Sequence, residues 1–287
     1  MGSTVEAAVH EHRNDLVGLA YRLLGSVSDA EDAVQEAYLR LERHGTDGVG
    51  NVGGWLHRTT SRVCLDRLRS AHARREVYVG PWLPEPISVE VDPSEPVELA
   101  ESLTMAFLVV LESLNPAERV AFVLREVFGY GYDDLAAVLD RSEEACRKLV
   151  SRARSRVRTR RPRFEADGAM RHEVAERFVD ACRTGDLAQL LDVLAPDVVL
   201  RSDGGGKVSA ARRPIRGVDR VVRFLAGVGT QAPAGTELRP TALNGAPGFL
   251  VRTPDGRIDS AWAVDVADGR IVAINAVRNP DKLAHLP

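Results

Sequence analysis

Arg147, Lys148, Arg152, Arg154 and Arg158 recur along one stretch of the chain, Tyr132–Arg160, with Ser142 and Ser151 among them. Guanidinium groups at the front of a helix can bond guanine bidentately in the major groove, and those further along can neutralise phosphates. A second basic stretch, Trp55–Arg75, carries Arg58, Arg62, Arg67 and Arg69 behind Trp55. Aromatic and Arg side chains together suit single-stranded DNA, whose bases meet π faces and whose phosphates meet cations. Trp55 taken alone also fits a core anchor. A third set is acidic: Asp29, Glu31, Asp32 and Glu36 crowd the first two turns of one segment. A helix dipole explains acids at such a place but not four of them; a basic protein partner would.

Helical patterns position all three sets. Residues 5–24 read as a helix with Val9, Leu16, Leu19, Ala20 and Leu23 near helical spacing, ended by Gly25. Ser28-Asp29-Ala30-Glu31 reads as a capping box opening a helix to about Arg43. Five Gly make His44–Gly54 a loop, and a long helix follows from Trp55 to about Arg75, with Leu56, Val63, Leu68 and Ala71 inward. Five Pro between residues 79 and 96 exclude helix there and leave an extended acidic linker, in which Trp82 and Leu83 are oddly apolar. Helix resumes from Val97 to about Ser113, then from a cap at Asn115-Pro116-Ala117-Glu118 to about Phe128. Tyr132–Leu139, a tight turn at Asp140-Arg141 and an N-cap at Ser142 make a helix-turn-helix pattern, its second helix running to Arg160 before Pro162. Ala145, Cys146, Leu149, Val150, Ala153 and Val157 form its buried stripe.

Beyond Gly168 the pattern changes. Helices over 170–183, 187–194 and 218–228 accompany strand-like runs at 198–200, 238–243, 249–253, 258–266 and 271–277, with turns at Pro254-Asp255-Gly256 and Asp268-Gly269. The expected fold class is multidomain: two all-α modules followed by an α+β domain whose antiparallel sheet curls around helices. Asp259 and Asp265 stand six residues apart in one strand and so share a face; one could face a pocket, but outward-facing strand acids are the favoured reading, and Asp203–Lys207 lacks phosphate-loop spacing. No catalytic constellation stands out.

The net charge of −3 argues at first against a nucleic-acid partner, but it averages opposed blocks. Residues 55–75 hold six Arg and one Asp; residues 141–163 hold ten bases and two acids; residues 76–103 hold seven acids and no Lys or Arg. Cys64, Cys146 and Cys182 show no metal or disulfide spacing, so neither metal nor cofactor is expected. The N-terminus lacks a signal-peptide pattern, and the longest apolar run, Met105–Leu111, is too short for a bilayer. A soluble, cytoplasmic protein with no membrane partner is expected.

Together these features resemble a family. Asp29-Ala30-Glu31-Asp32-Ala33-Val34-Gln35-Glu36-Ala37-Tyr38 is similar to a signature of the σ2 domain of extracytoplasmic-function sigma factors. Trp55-Leu56 with Leu65-Asp66-Arg67-Leu68-Arg69 resembles the next σ2 helix, and Leu114-Asn115-Pro116-Ala117-Glu118-Arg119 with the helix-turn-helix resembles σ4. Three further runs resemble the group with a fused SnoaL-like domain, of the mycobacterial SigJ type: Trp82-Leu83-Pro84-Glu85-Pro86, Asp203-Gly204-Gly205-Gly206-Lys207 and Asn279-Pro280-Asp281-Lys282-Leu283. The resemblance implies a σ2 helical bundle over 1–77, a linker over 78–96, a σ4 domain over 97–163 and a SnoaL-like regulatory domain over 168–287. It implies that Asp29, Glu31, Asp32, Gln35 and Glu36 meet core RNA polymerase at the β′ clamp helices, with the β flap as a further contact. It implies that Trp55, Arg58, Arg62, Arg67 and Arg69 serve the −10 element, and Ser142, Arg147, Lys148, Ser151, Arg152 and Arg154 the −35 element. The three group motifs (Trp82, Leu83 and Pro84; Asp203, Gly204, Gly205, Gly206 and Lys207; Asn279, Pro280, Asp281, Lys282 and Leu283) would tie the linker to the last domain and modulate activity in cis. Polyketide cyclases and epoxide hydrolases share the SnoaL-like shape, which commonly encloses a pocket, so an unidentified small-molecule ligand stays open. A DNA-binding regulator that never joins polymerase would leave Asp29–Tyr38 unexplained.

Overall fold

The computed structural model describes residues 2–46, 48–75, 78–88, 102–160 and 168–287. They fall into two compact units, within Met1–Val77 with Val110–Arg160 and within Tyr78–Val109 with Arg161–Pro287. The expected linker beyond Ser88, the helix start at Val97 and the stop at Pro162 lie outside the described residues, as do the side chains of Val9 and Ala71.

The first unit is helical. Helices α1 (Gly2–Leu24), α2 (Val27–His44) and α3 (Val52–Arg75) pack around Leu16, Leu19, Leu23, Ala33, Leu41, Leu56 and Val63. The expected cap of α2 is corrected: Ser26, not Ser28, is the N-cap, and its hydroxyl accepts from the Asp29 N–H at 3.2 Å. Gly25, left-handed at φ 69°, ends α1 and delivers Ser26 in extended conformation, so the next helix starts at once. Helix was expected over 97–113, but of the described residues 102–113 only α4 (Met105–Leu111) is helical: residues 102–104 are turn and bend, with the Thr104 hydroxyl capping the Phe107 N–H, and the division between the two units falls within this helix, after Val109. Asn115 and Glu118 close the expected capping box on α5 (Pro116–Phe122), which runs on into a π-helical turn, Val123–Val127. Asp140, left-handed at φ 53°, turns the chain between α6 (Tyr132–Leu139) and α7 (Glu143–Arg160). Cys146, Leu149, Val150, Ala153 and Val157 form the buried stripe of α7, as their spacing predicts, while Ala145, expected with them, is half-buried.

The second unit holds α8 (Gly168–Thr184), α9 (Leu187–Val193), α10 (Val218–Gln231) and six strands: β1 (Leu194–Asp203), β2 (Ile215–Arg216), β3 (Glu237–Leu243), β4 (Ala246–Arg252), β5 (Ile258–Ala267) and β6 (Arg270–Val277). The sheet order is β2-β1-β6-β5-β4-β3. The sheet is mixed rather than antiparallel throughout, because β1 pairs with β6 in parallel, Leu200 opposite Ile274 and Asp203 opposite Val277. Parallel neighbours need a crossover, and the chain supplies one: α10 and four further strands separate the pair. One face buries Val198, Leu200, Trp262, Val264 and Ile274 against α8, α9 and α10. The other buries Leu250, Ala261, Ala263 and Val277 against Leu83 and Met105 from the segment before the first helix of this domain. Both faces are therefore covered, and β5 reads as a nearly continuous apolar run.

Candidate functional site

Two charged helical faces lie in the first unit. Arg147, Lys148, Ser151 and Arg152 are exposed on α7, away from the buried stripe, and Ser142, just before the helix, is exposed as well. Arg147 stacks on the Tyr132 ring at 4.6 Å and pairs with Glu143 at 2.9 Å; Lys148 pairs with Glu144 at 2.7 Å. Arg154 stands apart, held by both Glu126 carboxylate oxygens at 2.8 Å, an arrangement that raises its already high pKa. The acids of α2 are exposed, and Arg67 of α3 reaches three of them: Asp29 at 3.5 Å, Asp32 at 3.7 Å and Glu36 at 3.7 Å. Glu31 turns instead to Arg13 at 3.0 Å. The structure thus brings Arg67 to the acidic helix and separates it from Arg58 and Arg62, with which it was grouped. Arg58 lies 3.6 Å from Asp134, and Arg62 donates to the Ala137 carbonyl at 2.6 Å, both on the first helix of the helix-turn-helix. Arg69 pairs with Asp66 on its own helix, and Trp55 is half-buried against the His44 ring at 5.8 Å. Arg119, absent from the predicted set, is buried and donates to the Leu23 carbonyl at 3.0 Å and to Glu112.

In the second unit the three group motifs converge on one carboxylate. Asp203 is fully buried at the end of β1. Its Oδ1 accepts from the Tyr78 hydroxyl at 2.6 Å and the Gly205 N–H at 3.0 Å. Its Oδ2 accepts from the Leu83 N–H and the Lys282 ammonium, each at 2.8 Å. Those four donors fill the acceptor sites of an ionised carboxylate. Lys282 also donates to the Leu83 carbonyl and lies over the rings of Trp82 at 3.9 Å and Tyr78 at 5.4 Å. Burial and the bond to Asp203 push the Tyr78 phenol upward. The motif glycines have a steric reason. A Cβ on Gly205, which sits at φ 60°, would lie 2.4 Å from the Asn279 carboxamide, and one on Gly204 would lie 2.5 Å from the Val208 carbonyl. Asn279 caps the single turn Pro280–Lys282 through the Asp281 N–H, and Lys207 pairs with Asp281 on the surface. Leu83 and Leu283 share the core on that face of the sheet.

These contacts form a latch between the segment from Tyr78 to Ile87 and the C-terminal domain, and three of its residues lie outside the predicted set. Tyr78 is joined by Asn244, which exchanges two hydrogen bonds with Ile87, and by His285, which meets the Pro86 carbonyl at 2.8 Å. Tyr78 had a signal, being one more large aromatic beside a Pro-rich stretch. Asn244 and His285 had none.

The two strand acids also divide. Asp259 sits at a bulge in β5 and pairs with Arg278 at 2.8 Å. Asp265, expected to face outward, is buried; burial raises its pKa to about 7 against the pull of Arg201 and a 3.2 Å bond from Asn275. Among the described residues no helix is long and apolar enough to cross a membrane.

Three family models match the chain: Sigma-70 region 2 over residues 8–74, Sigma-70, region 4 over 104–157, and SnoaL-like domain over 175–274. The chain is 40% identical to the ECF RNA polymerase sigma factor SigJ of Mycobacterium tuberculosis, across 96% of this chain and 92% of that one. It is 40% identical to the probable ECF RNA polymerase sigma factor SigI of the same organism, across 97% and 94%. The crystal structure of the Mycobacterium tuberculosis SigJ superposes with a TM-score of 0.77 at 36% identity, covering 99% of this chain and 98% of that one. By near full-length likeness in both sequence and fold, this chain belongs to the extracytoplasmic-function RNA polymerase sigma factors, with a SnoaL-like domain following its two sigma-70 regions.

Proposed function

We propose that this sigma factor binds core RNA polymerase in the cytoplasm and directs promoter-specific transcription initiation, with its C-terminal domain modulating activity in cis. The exposed acids Asp29, Glu31, Asp32 and Glu36, with Gln35, form the surface for the β′ clamp helices, and the σ4 domain makes a further contact with the β flap. Arg67 is better read as the residue that orders those acids, since it pairs with three of them. Trp55, Arg58, Arg62 and Arg69 serve the −10 element, and Ser142, Arg147, Lys148, Ser151 and Arg152 the −35 element. Arg154, held bidentately by Glu126, supports the recognition helix from behind. Because Arg58 and Arg62 contact α6, the −10 surface must release the helix-turn-helix before DNA can take its place. The Arg58–Asp134 pair is half-exposed and contributes at most about 1 kcal/mol, so it yields readily to a partner.

The observation that carries the cis reading is the buried Asp203–Lys282 pair, which binds both the N–H and the carbonyl of Leu83. A segment held by its backbone in this way follows the domain it is bound to. The domain is read as a regulator rather than an enzyme: the chain's relatives are sigma factors, and Asp259 and Asp265 are engaged by Arg278 and Asn275.

The DNA assignment is tested by fluorescence anisotropy of the polymerase holoenzyme on promoter DNA. Arg147→Ala and Arg152→Ala should each weaken binding by about 1–3 kcal/mol where they read bases. Unchanged affinity for both would remove α7 as the recognition helix.

A further inference from the structure

Five arginines within twelve residues of the C-terminal domain, Arg212, Arg213, Arg216, Arg220 and Arg223, are exposed. None of their guanidinium groups makes a hydrogen bond or an ion pair with a described residue. Four other arginines of this domain do pair: Arg177 with Asp192, Arg183 with Asp180, Arg257 with Asp255 and Arg278 with Asp259. Residues 204–236 hold six bases against one acid, Asp219, and the sixth base, Lys207, is taken by Asp281. Asp219 lies in the first turn of α10, where the helix dipole favours an acid.

The scaffold beneath them is ordered. Arg278 donates to the Ser209 carbonyl at 2.6 Å and holds the approach to β2. In β2, Ile215 pairs with Leu200 and Arg216 with Val199 of β1. Ile215 packs into the core on the helix-covered face, which turns Arg216 to the other side. Gly217, at φ 88°, donates its N–H to the Val198 carbonyl at 2.9 Å and turns the chain into α10. There Val221, Val222 and Leu225 face inward, leaving Arg220 and Arg223, three residues apart, on a shared outer face. Partly extended and partly helical, the chain from Arg213 to Arg223 covers at most about 25 Å. The crowding is felt inside the domain: burial lowers the pKa of Arg201, Asp265 opposes that, and Arg216 lowers it further.

Like charges crowded without counter-charges repel one another, and a polyanion relieves that repulsion. A DNA duplex carries about one charge per 1.7 Å of axis, so about 25 Å of it offers roughly 15. A protein partner would bury an apolar centre and a membrane would take an apolar face, yet no large apolar side chain is exposed between Arg212 and Arg223. We propose that this patch binds the phosphate backbone of duplex DNA, a contact outside the two sigma-70 regions that holds DNA without reading its sequence. The choice of partner rests on the DNA-binding reading above, which tethers duplex DNA to the same chain.

The test uses the full-length chain and a fluorescein-labelled, random-sequence duplex of about 40 base pairs, followed by anisotropy in KCl from about 50 to about 200 mM. One variant combines Arg213→Gln, Arg216→Gln, Arg220→Gln and Arg223→Gln. A second combines Arg213→Lys, Arg216→Lys, Arg220→Lys and Arg223→Lys. A charge-matched control combines Arg177→Gln, Arg183→Gln, Arg239→Gln and Arg257→Gln, exposed arginines of the same domain outside the patch. The unaltered chain should bind with Kd of about 1–100 µM. In about 50 mM KCl the patch Gln variant should bind at least about tenfold more weakly, and its slope of log K against log salt should be shallower by about 2–4. The Lys variant and the control should stay within about threefold of the unaltered chain. An unchanged slope in the Gln variant, an equal loss in the control, or a Lys variant as weak as the Gln variant would overturn the patch. Absence of saturable binding by the unaltered chain would overturn the choice of DNA, while the holoenzyme measurement on Arg147 and Arg152 reads the α7 assignment separately. Unchanged duplex binding by the Gln variant together with loss of core polymerase in a pull-down would overturn the proposal in favour of an acidic protein partner.

Discussion

Two ion-pair clusters set the two units of this chain apart. Lys282 and Asp203 are 8% and 0% exposed and sit 2.8 Å apart, with every acceptor site of the carboxylate filled. Arg67 faces three carboxylates at 3.5–3.7 Å, and those acids are 39% to 64% exposed. The first cluster has one low-energy arrangement, because an unpaired charge in the interior is costly. The second has several of similar energy, because water and salt can replace any of its pairs. A buried pair suits a contact that must hold the linker segment in one place. An exposed, redundant cluster suits a surface that exchanges its partners when polymerase arrives.

The largest test of this contrast is Lys282→Met, which keeps the side-chain stem and strands the Asp203 charge. Stability of the C-terminal unit should fall by about 3–5 kcal/mol in urea unfolding, with little dependence on salt. A loss under about 1 kcal/mol would place the pair with the exposed cluster instead. Asp265 gives the next effect, through pH. Its native pKa of about 7 lies above the unfolded carboxylate value of about 4, so the native state keeps a proton that the unfolded chain releases. The stability gained by holding that proton is complete at low pH and is lost as pH rises through about 7. Asp265→Asn should therefore raise the melting temperature at pH 8, by a gain on the order of a few kcal/mol at most, and change little at pH 4. An equal shift at both pH values would contradict the buried-acid assignment. Arg67→Ala comes last. It should cost under about 1 kcal/mol in low salt and nothing measurable at high salt, while weakening polymerase binding in a pull-down titration. A salt-independent loss of stability would show that Arg67 belongs with the buried kind.

Much of the helical half was legible because its signals are local. Asn115-Pro116-Ala117-Glu118 caps a helix wherever it is met, and the stripe from Cys146 to Val157 fixes the inner face of α7. The slip from Ser26 to Ser28 arose where two hydroxyls two residues apart competed for one cap, and the left-handed Gly25 decided it. The parallel β1–β6 pair was not legible, since no local pattern records which distant strand a strand will meet. Asp265 had an overlooked signal: Ala261-Trp262-Ala263-Val264-Asp265-Val266-Ala267 is apolar on both sides of the alternation, the mark of a strand covered on both faces. Trp82 and Leu83 stood out as apolar residues in a linker, but Asp203 and Lys282 entered only through family resemblance. Their spacing of seventy-nine residues carries no physical message until the fold brings them together. The pairing of Arg67 with α2 was hidden for the same reason.

Promoter-directed initiation and the buried Asp203–Lys282 latch can be tested in one measurement. Run-off transcription from sheared genomic DNA of the source organism, with core polymerase and either the full-length chain or its Lys282→Met variant, is read by sequencing transcript 5′ ends. The wild-type chain should create a discrete set of start sites sharing −35 and −10 sequences. Lys282→Met should keep those sites and change their yield several-fold. Start sites identical to those of core polymerase alone would contradict the sigma-factor account. Equal yields from the two proteins would contradict control through the latch.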